Sequence, residues 1–511
     1  MKTIFILMDS LNRHYLGLYG AARARTPNLE RLAARGIVFE NHFSGSMPCM
    51  PARREMMTGR LNFLEAPWGP IEPFDDCLPN ELRAKRGVYS HLITDHYHYW
   101  RPMGEGYHQL FDTWEFLRGQ EHDPWRPLVG DPQAPPHKGR YSRQFWVNRR
   151  GMESERDEDY PTPQCFMRAI EFLQNNHAAD NWHLHLEVFD PHEPFVCPSR
   201  YLKMYGDTWD KPFAFAWPDY APVGEGPEAV AHVRNCYAAT LTMADAWLGR
   251  FLDTMDALDA WKDTTVILTT DHGHLLGEHG YWAKNYPFDY RELVHIPLII
   301  CTSEGSRAAL RQSRGQGVRS LTDRAPDPLV SDAAPRAGGR VSGLTATIDL
   351  MPTLMDLHQA PLPPHVQGKS LLHLLDRDGP HHDAVLYGYH GKDIGMTDGR
   401  YTYGRQPLPG SFLYHYTAMP RRYFGSREKL AAAEVGPFLK HAYGIPVYRV
   451  KVPSHRHHAA PDFNPIYDIQ ADPGQAQPIH DAGLESQLAA KMRELLRRYD
   501  APECQYARVG L

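Results

Sequence analysis

The chain has 511 residues, 42 % hydrophobic and 23 % charged, a globular balance that excludes disorder and suits one large domain plus a smaller one. Its 55 basic and 61 acidic side chains leave a net charge of −6, so no basic excess points to nucleic acid or an anionic membrane. The seven cysteines are odd in number and scattered, which argues against a disulfide framework and for a reducing compartment.

Met1, Lys2 and Thr3 precede a short apolar run, IFILM at 4–8, which ends at Asp9. A signal peptide needs a longer apolar stretch and a small-residue cleavage site. The run reads instead as a buried first strand. A cytoplasmic location is expected, because cleavage here would remove Asp9. Residues 26–35 (TPNLERLAAR) predict a helix with Thr26 as N-cap and Pro27 at its first position. Extended segments are expected at 36–40, 89–94 (YSHLIT) and 182–189 (WHLHLEVF). A long helix at 230–254 carries Met243, Trp247, Leu248 and Phe251 at helical spacing. Residues 264–270 (TTVILTT) and 296–301 (IPLIIC) are short apolar strands of the kind buried on both faces of a parallel sheet. No apolar run approaches the roughly 18 residues of a membrane span, so no membrane partner is expected.

This alternation predicts an α/β fold with helices on both faces of a sheet. Residues 303–340 break the pattern with seven Arg and no aromatic residue, and read as a surface insertion. Helical pattern resumes at 347–358. Short aromatic strands follow at 384–389 and 400–403, and a helix closes the chain at 484–499. The expected division is a large α/β domain over 1–380 and a smaller C-terminal α+β domain over 381–511, with a short antiparallel sheet.

The most informative stretch is PCMPARREMMTG at 48–59. A lone cysteine is usually a small buried hydrophobe. Cys49, however, stands between prolines at the start of an expected helix. Free N–H groups and partial positive charge there lower a thiol pKa or bind an anion. Arg53, one turn on, adds a bidentate clamp for a tetrahedral oxyanion.

Cys49, Pro51 and Arg53, followed by Met56, Met57, Thr58 and Gly59, resemble the active-site signature of the sulfatases, a branch of the alkaline phosphatase superfamily. Met50 stands where the family usually has a small residue. The resemblance implies an alkaline phosphatase-like fold, with a large mixed, mostly parallel sheet sandwiched by helices. It implies a hydrolase of sulfate monoesters of the aryl sulfatase type. In that family a separate formylglycine-generating enzyme oxidises the cysteine, here Cys49, and the hydrated aldehyde is the nucleophile.

Further segments resemble the family in order. Asp9-Ser10-Leu11-Asn12-Arg13 resembles its first metal-ligand segment. Ser10 stands where many sulfatases have a second acid and the related phosphonate monoester hydrolases do not. Asp271-His272-Gly273, directly after the strand at 264–270, resembles the second, and Gly277, His279 and Lys284 follow it. On chemistry alone an Asp–His pair at a strand end suits a hard metal or a plain polar turn. The resemblance implies one divalent ion held by Asp9, residue 49, Asp271 and His272, with Lys284 on the transferring group. An imidazole ligand favours Mn²⁺ and the oxygen ligands Ca²⁺, so both stand.

Pro191-His192-Glu193-Pro194-Phe195 resembles the family's Pro-His-x-Pro-Phe, which makes His192 a donor to the transferring group or its leaving oxygen. His183 and His185 alternate along the expected strand and read as structural. Where the family has Gly-Lys-x-His, this chain has Thr94-Asp95-His96-Tyr97-His98. Aligning the functional pair with His96 and His98 keeps the spacing, and a cationic or donor pair suits an anionic substrate. A one-residue shift would select Asp95 and Tyr97 instead.

The expected substrate is a small sulfate ester. A phosphonate monoester or phosphodiester is the alternative, favoured by Ser10 and His272. Two further readings are a phosphatase using unmodified Cys49 as thiolate and a binding protein that kept the fold. The tail after Tyr499 leaves a homo-oligomer open.

Overall fold

The computed structural model describes residues 1–21, 23–150, 155–284, 288–303, 338–420, 425–458 and 460–511. Most of the expected insertion, 304–337, lies outside the described residues.

The first strand, β1 (Lys2–Met8), lies at the centre of the main sheet and is buried throughout. Its neighbours, β6 (Trp182–Val188) and β7 (Thr264–Thr269), both run parallel to it. Beyond β6, β4 (Tyr89–Thr94) and then β5 (Thr113–Phe116) continue the parallel set. Side chains along β1 alternate between two layers. Ile4, Ile6 and Met8 join the core under α1 (Pro27–Arg35) and the helices Pro161–Asn176 and Pro227–Ala257. Phe5 and Leu7 join the core under α2 (Cys49–Thr58), α3 (Leu78–Arg86) and Leu350–Leu357. Burial of each such side chain stabilises the fold by roughly 1.5–3 kcal/mol. The period-two alternation therefore fixes the register of the whole sheet.

One expectation needs correcting. Leu298–Cys301 is buried on both faces, but it runs antiparallel to β7 and to β2 (Ile37–Phe43). A continuous apolar run reports burial on two faces and carries no information about strand direction. The strand Gly339–Ala346 pairs parallel with β2, so the last residues of the expected insertion already belong to the sheet.

A second, five-stranded sheet is built from Ile466–Asp468, Tyr401–Arg405, Ile394–Thr397, Val385–Tyr389 and β3 (Ser46–Met47). The four C-terminal strands are antiparallel, while β3 joins in parallel through Ser46 opposite Gly388 and Met47 opposite Tyr389. The helix Ala482–Arg498 packs on it through Leu488, Met492, Leu495 and Leu496. A small antiparallel sheet is formed by Phe412–Thr417, Val447–Pro453 and Glu434–Gly436. No described helix is long and apolar enough to cross a membrane.

Candidate active site

Parallel strands end at a common edge, where side chains from consecutive loops converge. Met8 pairs with Val188 and Leu7 with Thr269, so Asp9, Asp271 and the 189–193 loop leave the sheet side by side. β4 ends at the same edge and delivers His96. From the opposite side, β3 leads into α2, whose first residue is Cys49 and whose next turn carries Arg53. Gly59, at φ 63°, ends that helix in the left-handed conformation that glycine adopts without strain.

Asp9, Cys49, Asp271 and His272 place their donor atoms within 4.8 Å of one another, all buried. His272 Nδ1 donates to the Gly273 carbonyl at 2.8 Å. Its Nε2 therefore keeps its lone pair, 3.3 Å from Cys49 Sγ and 3.3 Å from Asp271 Oδ2. Burial lowers the His272 pKa, which keeps the imidazole in the neutral form a metal needs. Two carboxylates and an oriented neutral imidazole fit a divalent ion. Gly273 is required sterically, because a Cβ there would lie 1.8 Å from the Glu292 carbonyl oxygen.

Arg53 is 1 % exposed and spans three carboxylates. It donates to Asp9 Oδ2 and Asp271 Oδ2, each at 2.9 Å, and its Nε lies 3.4 Å from Glu187. Burial opposes its charge, but Glu187, Asp9 and Asp271 together raise its pKa. Lys284 donates to Ser10 Oγ at 2.9 Å, and Ser10 donates in turn to Asp9 Oδ1 at 2.8 Å. Ser10 thus links Asp9 to the lysine. Burial also opposes the Lys284 charge, which Cys49, Glu193, Asp9 and Asp271 outweigh.

His192 Nδ1 donates to its neighbour's carbonyl, at Glu193, at 2.6 Å, which leaves Nε2 for a ligand. Burial holds His192 neutral, with its pKa pushed down to about 3. His96 and His98 stand edge to face, ring centres 4.9 Å apart. His96 Nδ1 lies 3.9 Å from Asp9 Oδ2, and neither of its ring nitrogens has a hydrogen-bond partner among the described residues. Burial, reinforced by nearby cations, pulls both pKa values well below the usual range. Both rings are therefore held in the neutral form, able to hydrogen-bond but not to carry charge. Asp95, the alternative register, is occupied elsewhere, accepting from Phe189 N (2.7 Å), Gln120 (2.9 Å) and Thr162 (3.0 Å).

The thiol itself departs from the helix-terminus expectation. Burial, followed by the Asp9 charge, pushes the Cys49 pKa well above its usual range. Desolvation and the Asp9 and Asp271 charges disfavour the thiolate more than the Lys284 and Arg53 charges favour it. His183 shares a hydrogen bond with Thr3 at 2.9 Å and His185 with Glu187 at 3.2 Å, within the sheet. His279 lies outside the cluster, stacked on Tyr290 at 3.6 Å.

Sequence reasoning did not single out several groups. Glu187 holds Arg53, Tyr99 (2.6 Å) and Thr94 (2.9 Å). Glu193, between His192 (3.3 Å), His274 (3.4 Å) and Lys284 (3.8 Å), is held well below the usual carboxylate range despite burial. Glu121 lies 3.4 Å from His98 and 3.8 Å from His192, and burial raises its pKa to about 8. Glu193 is adjacent to His192 in the family-like segment, which was its available signal. Glu187 sits in an apolar strand and Glu121 in a loop, where nothing local marks them.

The chain is similar to known proteins along most of its length. The sulfatase family model matches residues 2–360. Human iduronate 2-sulfatase is 25 % identical, over 74 % of this chain and 72 % of its own length. The multifunctional alkaline phosphatase superfamily protein PehA of Trinickia caryophylli is 24 % identical, over 70 % and 72 %. The solved phosphonate monoester hydrolase of Agrobacterium radiobacter superposes with a TM-score of 0.65 at 18 % identity, covering 97 % of this chain and 95 % of that one. With the family match extending over more than half its length, the chain belongs to the sulfatase family.

Proposed function

We propose that this protein hydrolyses a small sulfate monoester of the aryl sulfatase type. The observation that carries the reading is the convergence of Cys49, Asp9, Asp271 and His272 with Arg53 and Lys284 at one sheet edge. A divalent ion, Ca²⁺ or Mn²⁺, held by Asp9, Asp271 and His272, and a formylglycine made from Cys49 would supply Lewis-acid charge and the nucleophile. The side chains do the rest. Arg53 bridges Asp9 and Asp271 and fixes both carboxylates. Lys284 brings a permanent positive charge to the oxygens of the transferring group. His96, neither of whose ring nitrogens has a hydrogen-bond partner among the described residues, would donate to those oxygens. His192 offers Nε2 to the leaving oxygen, and an anionic substrate would raise its pKa from the present low value. Glu193 orients His192 and Lys284 together.

One observation favours a second reading, a phosphonate monoester or phosphodiester. Ser10, which accepts from Lys284 at 2.9 Å, stands at the position where the resemblance gives many sulfatases a second acid and phosphonate monoester hydrolases none.

Two measurements test the proposal. The peptide containing residue 49 should be lighter than its cysteine form by replacement of sulfur and two hydrogens with one oxygen. Cys49→Ala should abolish turnover of an aryl sulfate and of a phosphonate monoester while the melting temperature holds. Full turnover by a protein with intact Cys49, or by the Ala variant, would overturn it.

A further inference from the structure

A second group of metal-competent side chains lies where the main fold meets the five-stranded sheet. Asp289 follows the Lys284 segment, Asp393 precedes the strand Ile394–Thr397, and His457 comes from the loop after Val447–Pro453. Three separate segments thus converge. Their ligand atoms lie within 4.8 Å of one another. His457 Nε2 is 2.8 Å from Asp393 Oδ1 and 3.5 Å from Asp289 Oδ1. All three side chains are 0 % exposed.

The decisive feature is what the carboxylates lack. Among the described residues, the four oxygens of Asp289 and Asp393 accept no hydrogen bond, and their only close polar contacts are those of Oδ1 of each with His457 Nε2. No Lys or Arg of the described residues forms an ion pair with either one, although the Lys392 charge acts on both from further away. Buried carboxylates are ordinarily paired, hydrogen-bonded or bound to a metal. Two of them, adjacent and enclosed, repel each other unless a cation or a shared proton intervenes. The packing brings them together all the same. A Cβ on Gly404 would meet the Phe288 ring at 2.3 Å and Asp393 Oδ2 at 3.5 Å, so glycine is what lets this corner close. Tyr389 stands edge-on to the His457 ring, 5.5 Å away, and limits its rotation.

We propose that Asp289, Asp393 and His457 form a second, buried site for a divalent transition ion such as Zn²⁺, structural in role and separate from the Asp9 cluster. Zinc lies about 2.0–2.2 Å from nitrogen and oxygen ligands, which sets tetrahedral ligands roughly 3.3–3.6 Å apart. The His457–Asp289 separation already matches, and the His457–Asp393 pair needs to open by less than an ångström. Two carboxylates neutralise the ion, and one imidazole suits a borderline metal better than Ca²⁺. Burial and the Asp393 charge raise the Asp289 pKa, and the Lys392 charge opposes them. Ligation through Nε2 places the imidazole proton on Nδ1. Lys392, now 3.3 Å from Nδ1 and partly exposed, then turns toward solvent.

The test counts metal in the full-length protein. Wild type, Asp9→Asn, Asp393→Asn and His457→Gln are stripped with chelator, reloaded with ZnCl₂ alone, desalted and analysed by elemental mass spectrometry. Wild type should hold two equivalents. Asp9→Asn should lose one of them, and Asp393→Asn and His457→Gln should each lose the other. Zn²⁺ should also raise the melting temperature of Asp9→Asn, and the rise should vanish when Asp393→Asn is added. A single wild-type equivalent that Asp9→Asn removes would overturn the proposal. So would two equivalents that neither Asp393→Asn nor His457→Gln reduces. Failure at the Asp9 cluster would read out separately, as a wild-type equivalent untouched by Asp9→Asn.

Discussion

Arg53→Ala probes the site most directly. The guanidinium donates two 2.9 Å bonds, one to Asp9 and one to Asp271, and contacts Glu187 at 3.4 Å, all in surroundings with almost no solvent. Removing one partner of a buried ionic network costs about 3–5 kcal/mol, because the remaining charges stay buried and uncompensated. Asp9 and Asp271 are also the carboxylates assigned to the metal. A divalent ion would therefore replace the positive charge that the substitution removes. Ligand at about 1,000 times its Kd stabilises a protein by roughly 4 kcal/mol. The variant should bind the ion more tightly than wild type, since Arg53 no longer competes for the same oxygens. Urea denaturation with chelator should give a deficit of about 3–5 kcal/mol against wild type. With saturating Mn²⁺ or Ca²⁺ the deficit should fall by at least half, while hydrolysis stays lost. An equal deficit in chelator and in metal would refute the idea that arginine and ion share these carboxylates.

Three further outcomes are expected. Ser10→Ala removes the link between Asp9 and Lys284 and should lower kcat/KM about 10–150-fold, the equivalent of a charge-assisted bond of about 1.5–3 kcal/mol; steady-state kinetics with an aryl sulfate decide it, and an unchanged value would count against the tether. Gly273→Ala drives a methyl against the Glu292 carbonyl, so it should cost roughly 1–3 kcal/mol or more and reduce the metal content, checked by thermal melting and metal analysis. Glu121 keeps its proton up to about pH 8 in the folded protein, whereas the unfolded chain releases it near pH ~4.3. The unfolded state therefore binds fewer protons between those values, and stability falls as pH rises through the window, by up to about 1.4 kcal/mol per pH unit. Glu121→Gln should remove that slope, and parallel wild-type and variant curves between pH 5 and 8 would contradict the assignment.

Local patterns carried far in this chain. Five apolar residues ending at Asp9, and an apolar strand ending before Asp271 and His272, located both halves of the candidate metal cluster, because a strand end and its first polar residue are neighbours in sequence. The helix start at Cys49 and the Arg53 turn were legible for the same reason. What stayed hidden depends on distant partners. Glu187 and Arg53 are far apart in the chain, and the parallel β1–β6 register alone brings Glu187 to the cluster. The neutral state of His96 and His98, and the raised thiol of Cys49, follow from burial that no spacing reports. The antiparallel direction of Leu298–Cys301 was invisible because an apolar run looks the same from either end.

The short strand β3 has a consequence for any shortened form of this protein. The family match stops at residue 360, yet Ser46 and Met47 find their sheet partners at Gly388 and Tyr389. A chain trimmed to the matched region would leave that edge open just ahead of residue 49. Cys49 would then lose the support that the sheet gives the strand leading into its helix. A nick or deletion in the C-terminal hairpin should be felt first as lost positioning of Cys49, ahead of any loss of the main sheet.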